Sequence, residues 1–261
     1  MTATEHPISM AVTFPTSNPD GEAAAHVELG ASLDDVPTWS LQTLNAGPAR
    51  SSPAYARHLE ATIGSSYDWS DEIRFDKRTG KMRSFVLKTP ESGALEPAIA
   101  RSWLALPRRT GIPVLDHREN GFHVDPLDLR HLAEDAAALV VAGAALPPSD
   151  HDSLRLAIGR DTDLLFHHGR YSGWILGSPI AHLVSEPGEA APGTDDPRLH
   201  EPLREYLALV VEPNIARMGD EDPDLRAALG ALRDRVRAID GKQARALKGG
   251  IERVLETFYP E

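Results

Sequence analysis

The spacing of apolar residues changes along the chain. Between residues 69 and 179 they form short runs separated by glycine, proline or aspartate, which is typical of β-strands joined by turns. Beyond residue 197 they recur every three or four positions, which is typical of amphipathic helices. The pattern predicts an α+β fold, in which antiparallel hairpin and meander sheet segments with interspersed helices are followed by a C-terminal helical bundle.

Three stretches carry the predicted strands. The sequence ISMAVTF, residues 8–14, is expected to form one strand. The runs EIRF and MRSFVL flank DKRTG, in which Asp76 opens a turn and Gly80 takes the left-handed conformation that closes it, so we expect a hairpin. Residues 154–179 contain three apolar runs separated by turn signals, and they are expected to form a meander of three short strands.

Start and stop signals predict the helices. A helix is expected over residues 52–64, with Ser52 as its N-cap, and another over residues 95–107. Asp125 is expected to cap a long helix that ends near Leu146, before two prolines. Three apolar helix faces are predicted in the tail, formed by Leu199, Leu203, Tyr206, Leu207, Val210 and Val211, by Leu225, Leu229, Leu232, Val236 and Ile239, and by Leu247, Ile251, Leu255 and Phe258.

These elements divide the chain into parts. Residues 1–51 are rich in loop formers and are expected to be a weakly ordered N-terminal segment. Residues 52–185 are predicted to form an α+β domain, and residues 198–261 a C-terminal helical subdomain. The acidic, proline-rich residues 186–197 are predicted to link the two. The heptad-like spacing in residues 225–239 also allows a homodimer through the C-terminal helices, although packing within one chain is favoured.

Two histidines and three carboxylates lie close together in VLDHRENGFHVDP. The pair Asn120-Gly121 is the strongest short signal for a two-residue hairpin turn. In such a hairpin His117 and Glu119 point to one face, and the histidine that follows the turn points to the other. The pattern therefore favours a turn over a metal site. The alternative is an iron or zinc site formed by His117, Glu119 and His168.

Composition and charge limit the classes of function. The chain has 261 residues and no cysteine, which excludes disulfides, thiolate nucleophiles and cysteine-ligated metal sites. The start of the sequence lacks the features of a signal peptide, and the longest apolar run is about half the roughly 20 residues needed to cross a bilayer. We therefore expect a cytoplasmic protein that does not bind membranes. A formal charge of −12 argues against binding to nucleic acid.

One segment departs from this acidic average. Residues 71–119 contain 10 lysines and arginines against 7 aspartates and glutamates. Arginine is suited to bidentate binding of a carboxylate or phosphate, so the segment predicts a site for a small anionic ligand or an acidic partner surface. The predicted ligand-binding residues are Arg74, Arg78, Arg83, Arg108, Arg109, Trp103 and His168. The alternative is that the charges of the hairpin form a solvated face, or internal ion pairs with Asp71, Glu72 and Asp76.

The resulting prediction is a cytoplasmic binding or accessory protein, of the immunity type or serving a pathway, that holds its ligand or protein partner through the basic hairpin without a cofactor. The sequence contains neither a glycine-rich nucleotide-binding loop nor the G-x-S-x-G and H-E-x-x-H motifs. The alternative prediction is an enzyme of small-molecule, specialised metabolism. It would use histidines and carboxylates, with or without a metal such as iron or zinc.

Overall fold

The computed structural model describes most of the chain. It covers residues 10–14, 23–34, 36–41, 45–48, 52–65, 70–117, 122, 124–143, 148–149, 151–185, 189 and 193–260. Within these residues the protein has a large mixed sheet, a smaller sheet and C-terminal helices. The predicted α+β class is confirmed.

The strands, in chain order, are β1 (Met10–Phe14), β2 (Ala23–Leu29), β3 (Pro37–Ser40), β4 (Asn45–Pro48), β5 (Thr62–Gly64), β6 (Glu72–Asp76), β7 (Met82–Lys88), β8 (Gly93–Ala94), β9 (Arg108–Leu115), β10 (Leu129–Leu132), β11 (Ala138–Ala142), β12 (Ser153–Ala157), β13 (Thr162–His167), β14 (Arg170–Gly177) and β15 (Leu183–Val184). The α-helices are α1 (Ser52–Ala61), α2 (Pro97–Ala105), α3 (His200–Leu209), α4 (Asn214–Gly219), α5 (Pro223–Arg237) and α6 (Lys242–Phe258). Two short 3₁₀ turns occupy Pro179–His182 and Pro197–Leu199.

Six strands of the large sheet close into a ring in the order β1-β2-β9-β12-β13-β14. Strand β1 pairs antiparallel with β2 and lies parallel to β14, where Thr13 is opposite Arg170. The N–H of Thr13 also donates to the carbonyl of Gly169 at 2.7 Å. The later residues of β14 pair with β11, through which the sheet continues to β10 and β8. Strand β1 is therefore the strand that closes the ring.

The smaller sheet has the order β15-β3-β4-β7-β6-β5, and its pairs are antiparallel except β15 with β3. It joins the large sheet beside the β6–β7 hairpin. There Lys81 forms a bridge with Val114, and the N–H of Leu115 donates to the carbonyl of Gly80 at 2.9 Å. The hairpin is thus fixed against β9 of the large sheet.

The two faces of the large sheet are buried differently. Helix α2 covers one face, where Ile99 and Trp103 pack with Val140, Leu165 and Ile175 in a separate apolar cluster. The other face contributes to the main core, which it shares with the smaller sheet and the C-terminal helices. Along β11, β13 and β14, successive side chains therefore alternate between the cluster at α2 and the main core.

A buried arginine joins the C-terminal helices to the large sheet. Arg130 of β10 is 4% exposed and donates to the carbonyls of Pro90 (2.6 Å) and Leu207 (2.8 Å), and also to that of Val210. The last two carbonyls lie at the C-terminal end of α3, where a cation is favoured by the helix dipole. Burial lowers the pKa of Arg130 to about 10, so the guanidinium is charged at neutral pH.

Most local predictions are confirmed. The β6–β7 hairpin, helix α2, the β12–β14 meander and the amphipathic helices of the tail form where they were expected. Helix α1 begins at Ser52 but ends at Ala61, because the three following residues pair with β6 as β5. The predicted apolar face of α5 is buried within the chain, with Leu225, Leu229, Leu232 and Val236 in the main core. Dimerisation through these helices stays a prediction and would need another face.

The helix predicted from Asp125 to Leu146 is wrong. Residues Leu129–Leu132 and Ala138–Ala142 form strands β10 and β11, and Ala136, with a φ of 52°, lies in the turn between them. All of β11 is buried, since it lies between β10 and β14 and both of its faces are covered. A strand buried on both faces needs a continuous apolar run, and such a run has no alternation that distinguishes it from a buried helix.

Two further expectations concern the first half of the chain. The segment 1–51, expected to be weakly ordered, contains β1 to β4, two in each sheet. The predicted turn at Asn120-Gly121 lies outside the described residues, as does Glu119. The domain boundaries stay predictions. In the described part of the chain, every helix is too short or too polar to span a membrane.

Candidate functional site

The first predicted ligand-binding residue, Arg74 of the basic hairpin, is buried rather than exposed. Its guanidinium donates to Thr62 Oγ1 (3.1 Å) and to the carbonyls of Thr62 (3.0 Å) and Gly64 (3.3 Å). Strand β5 is adjacent to β6, so these acceptors surround the side chain on its own sheet. Arg74 is therefore not exposed for a ligand, and its hydrogen bonds, including one to the carbonyl of Leu59 at 3.4 Å, hold β5 and the end of α1.

The other charges of the basic hairpin have partners within the chain. Asp76 accepts hydrogen bonds from the N–H groups of Arg78 and Thr79 in the turn, and it pairs with Arg83 at 3.0 Å. Lys81 pairs with Glu28 of β2 at 2.7 Å. Arg78 is exposed but also takes part in an interaction. The alternative of internal ion pairs thus describes Asp76 and Arg83 correctly.

Trp103 is part of the apolar cluster under α2 and is 2% exposed. Its ring meets the imidazole of His167 edge to face, with centroids 6.5 Å apart. A side chain buried to this extent contributes to packing. It does not form the wall of an open pocket.

His168 and Gly169 form the two-residue turn between β13 and β14. Their φ angles are 50° and 76°, and positive values at both positions are those of a type I′ hairpin turn. The imidazole of His168 is exposed, lies 3.8 Å from Asp152 Oδ1, and lines a small surface cleft of about 230 Å³ with His151. The turn therefore accounts for the conformation of His168 without a ligand. Ligand binding by His168 stays a prediction.

Two of the residues in the alternative metal site lie in different parts of the large sheet. His168 is in the turn between β13 and β14, whereas His117 follows the end of β9. Strands β1 and β2 lie between β14 and β9 in the ring. Among the described residues, no three histidine or acidic side chains are grouped so that they could hold a metal ion.

Another histidine, His167, contacts a serine of the neighbouring strand. His167 Nδ1 lies 2.9 Å from Ser153 Oγ on the face of the sheet that α2 covers. Burial lowers the pKa of His167. The hydroxyl also accepts the N–H of Ser149 at 3.2 Å, so one of its lone pairs is already used. The alternative of an enzyme that uses histidines and carboxylates stays a prediction.

A groove lies on the same face of the large sheet, next to the C-terminal end of α2. It has a volume of about 380 Å³, which falls in the range of small-molecule sites. We call it the arginine groove. Its lining consists of Arg108, Arg155, Arg160, Asp135, Asp161 and Asp163 together with Leu104, Ala133, Ala137, Ala138, Ile175 and Gly177.

Two guanidinium groups share one buried carboxylate at the floor of the arginine groove. Arg108 Nε lies 2.8 Å from Asp163 Oδ1, and Arg155 Nε lies 2.7 Å from Asp163 Oδ2. The side chain of Asp163 is 3% exposed. Each arginine also donates to the backbone. Arg108 donates to the carbonyls of Gly159 and Arg160, and Arg155 donates to that of Leu104. Both guanidinium groups are thereby fixed in place.

One terminal nitrogen of each guanidinium remains available for a ligand. Among the described residues, neither Arg108 Nη1 nor Arg155 Nη2 has a hydrogen-bond partner. The two arginines and Asp163 together carry a net charge of +1. Two fixed guanidinium groups can donate charge-assisted hydrogen bonds to an oxyanion in a defined direction, which is the chemistry that this arrangement offers.

The remaining charges of the arginine groove balance this positive charge. Asp161 lies 4.0 Å from Arg160 Nε, and on its buried side it faces His182. Asp135 accepts the N–H of Ala137 at 3.0 Å in the turn before β11. Three arginines and three aspartates give the lining no net charge when all six are ionised.

Arg109, the neighbour of Arg108, does not line the arginine groove. Adjacent residues of a strand point to opposite faces, and Arg109 Nη1 lies 3.6 Å from Met10 Sδ. Of the predicted ligand-binding residues, the structure thus brings Arg108 alone into the groove.

Sequence reasoning missed Arg155 and Asp163, although the sequence LRLAIGRDTDLLF contains a signal for them. Each is a charged residue within an apolar strand, at a position whose neighbours are buried. Charges in such positions need partners. The partner Arg108 lies 55 positions from Asp163 in the sequence, so the signal does not reveal which residue it is.

Comparison with known proteins gives no family for this chain. No protein-family model matches it, and neither curated proteins nor solved structures show a significant match. Its function is therefore proposed from the geometry of the arginine groove.

A second buried acid lies away from the arginine groove. Asp71 is 1% exposed and accepts hydrogen bonds from Tyr171 Oη and from the N–H of Lys88, both at 2.7 Å. Burial raises the pKa of Asp71 to about 6 and that of Tyr171 as well. Tyr171 belongs to the aromatic core inside the ring of strands. The pair therefore contributes to the pH dependence of folding.

Replacing Asp71 with asparagine is expected to change how stability depends on pH. Because the pKa is raised from 3.8 to about 6 on folding, the folded chain retains a proton that the unfolded chain releases. This contribution is complete below the unfolded pKa and is lost as the pH rises through the folded pKa. Since asparagine does not ionise, the free energy of unfolding of the variant, relative to the natural chain, should rise by about 2 kcal/mol between about pH 4 and pH 7. Urea unfolding at several pH values measures this difference.

The control for Asp71 is Asp34→Asn, because Asp34 is exposed. Its difference from the natural chain gives the baseline over the same pH range. A difference for Asp71→Asn that does not rise above this baseline with pH would contradict the raised pKa.

Proposed function

We propose that this protein is a binding protein that holds a small oxyanion, a carboxylate or a phosphate, in the arginine groove. The observation that carries the proposal is the pair of guanidinium groups fixed on Asp163, each with one terminal nitrogen directed to no partner in the described chain. The proposal retains the small anionic ligand predicted from the sequence. It moves the site from the basic hairpin to Arg108 and Arg155.

The fixed geometry favours binding because the arginine side chains lose little conformational freedom when the ligand enters. A free arginine side chain has many rotamers, and immobilising it costs about 0.5–1.5 kcal/mol on association. Here Asp163 and the carbonyls of Gly159, Arg160 and Leu104 already hold the two side chains. The ligand therefore meets donors that are arranged before it binds.

The shape of the arginine groove favours a small molecule over a protein surface. Its volume of about 380 Å³ suits a ligand of limited size, and its apolar lining from Leu104, Ala138 and Ile175 would contact the non-polar part of an organic anion. A small organic carboxylate or phosphate combines the two features. We propose this class as the ligand.

Replacing Arg108 with methionine is expected to weaken anion binding about tenfold or more, since a hydrogen bond to a charged group contributes roughly 1.5–3 kcal/mol. The fold should persist because Asp163 retains Arg155. The measurement is an NMR titration at low salt with acetate, succinate, phosphate and methanesulfonate in turn. At least one of these anions should shift the resonances of the residues that line the arginine groove, with one site per chain.

Arg109→Met is the matched control, since it removes the same charge from the neighbouring position outside the arginine groove. It should change the affinity by less than about twofold, which is the effect of a distant screened charge. The proposal is wrong if none of the four anions binds, or if both variants weaken binding equally.

A further inference from the structure

A fully buried histidine lies directly behind the arginine groove. His182 ends the 3₁₀ turn Pro179–His182 and is 0% exposed. Its Nδ1 lies 2.8 Å from the carbonyl oxygen of Pro37. Because a carbonyl oxygen only accepts hydrogen bonds, Nδ1 must carry the hydrogen.

The other ring nitrogen of His182 faces a carboxylate. Nε2 lies 3.3 Å from Asp161 Oδ2 and makes no hydrogen bond with any described residue. In a neutral imidazole with its hydrogen on Nδ1, Nε2 is an acceptor, so two acceptors are placed against each other in a buried site. One additional proton would convert this contact into a charge-assisted hydrogen bond.

Asp161 connects this pair to the arginine groove, whose lining includes the same carboxylate. With the pair unprotonated, the six charged groups of the lining cancel. With one proton on the pair, the site gains a charge of +1 close to the bound anion. We propose that anion binding in the arginine groove is coupled to the uptake of one proton by Asp161 and His182.

This inference rests on the proposed function, and it adds a regulation of the same site by pH. By linkage, a proton that tightens anion binding is itself held more tightly when the anion is bound. Affinity should therefore rise as the pH falls. A binding protein of this kind would hold its ligand in an acidic medium and release it in a neutral one.

The groups around His182 shift its pKa in opposite directions. Burial lowers the pKa of His182, and the charge of Arg160 lowers it further, whereas Asp161 and the carbonyl of Pro37 raise it. On the side of β3 the contact is this carbonyl. Asp161 and Arg160 are the charged groups that act on the imidazole among the described residues, and both lie in the turn between β12 and β13. An anion near Arg160 would reduce the effect of that charge.

The test measures the affinity for methanesulfonate, whose charge is constant between pH 5 and pH 8. For the natural chain, the dissociation constant should increase about tenfold over this range, the effect of one nearby charge. In Asp161→Asn the dependence should fall below about twofold, because an asparagine amide donates to Nε2 at every pH without a proton. The affinity of this variant at pH 8 should approach that of the natural chain at pH 5.

Asp135→Asn is the matched control, since Asp135 lines the same groove but is held in its own turn by Ala137. It should retain the tenfold dependence. Nitrogen-15 spectra of the histidine rings test the pair directly: the Nε2 resonance of His182 should move toward the protonated value when methanesulfonate is added at a fixed pH near the midpoint.

The outcomes separate the two proposals. Binding that does not depend on pH, or whose dependence persists in Asp161→Asn, overturns the proton coupling and leaves the anion site standing. A His182 resonance that does not respond to saturating anion also overturns the coupling. Absence of binding at every pH overturns the anion site, and the coupling with it.

Discussion

Replacing Arg130 with methionine is expected to lower the free energy of unfolding by about 3–5 kcal/mol, the loss typical of a buried charged group that is removed from its partners. The guanidinium donates to carbonyls of Pro90, Leu207 and Val210, which belong to the segment before β8 and to the end of α3. Methionine fills a similar volume but donates nothing, so three buried acceptors would lose their partner. Chemical unfolding monitored by circular dichroism measures the loss.

The location of the damage distinguishes this prediction from general destabilisation. Arg130 makes the buried hydrogen bonds that join β10 to α3. In the variant, hydrogen exchange should therefore accelerate in α3 before it does in the β12–β14 meander. Arg101→Met, which removes an exposed arginine from α2, is the control and should change stability by less than about 0.5 kcal/mol. A loss below 1 kcal/mol for Arg130→Met would show that the helices are held by their apolar faces alone.

The second large effect is expected for Phe14→Ala, which should lower the free energy of unfolding by about 3–5 kcal/mol. Phe14 is 0% exposed and lies on β1, the strand that closes the ring. Its ring centroid lies 5.6 to 5.9 Å from four other aromatic rings, those of Phe75, Phe122, Phe166 and Tyr171. Alanine would leave a cavity among them, and the surrounding strands are too constrained by pairing to fill it.

Two variants serve as controls for Phe14→Ala. Phe14→Leu retains most of the volume and should cost less than about 1.5 kcal/mol. Leu29→Ala, at an exposed end of β2, should have a small effect. Hydrogen exchange of β1 should increase strongly in Phe14→Ala alone. Equal exchange in the three proteins would mean that β1 does not depend on the aromatic core.

The candidate site was only partly predictable from the sequence. The arginine-rich character of residues 71–119 led to Arg108, which lines the arginine groove, but equally to Arg74, which is buried against β5. Both are arginines within strands. What separates them is the set of acceptors around each side chain, and those acceptors come from other segments of the chain.

The same reason explains why Arg155, Asp163 and His182 were not selected. Asp163 has its partner Arg108 on a strand 55 positions earlier, and His182 meets Pro37 from a distance of 145 positions. Neither spacing has a sequence signature. Such pairs form because β12 lies between β9 and β13, and because β3 lies beside β15. Strand order is a property of the whole sheet.

Local physical chemistry in the sequence determined the elements that depend on neighbouring residues. The predicted turn forms because the carboxylate of Asp76 accepts N–H groups of the turn. Gly80, which has no Cβ, adopts the positive φ that closes it. The spacing of Leu225, Leu229 and Leu232 produced a helix because 3.6 residues per turn place them on one face. Both outcomes follow from the sequence alone.

The tertiary structure alone decided the outcome where local signals were ambiguous. The apolar run Ala138–Ala142 suits a buried helix and a buried strand equally, and pairing with β10 and β14 made it a strand. The N-terminal residues Met10–Phe14 are ordered because their closure of the ring buries Phe14. In each case the deciding free energy comes from contacts between distant segments, which the sequence contains only as a set of possibilities.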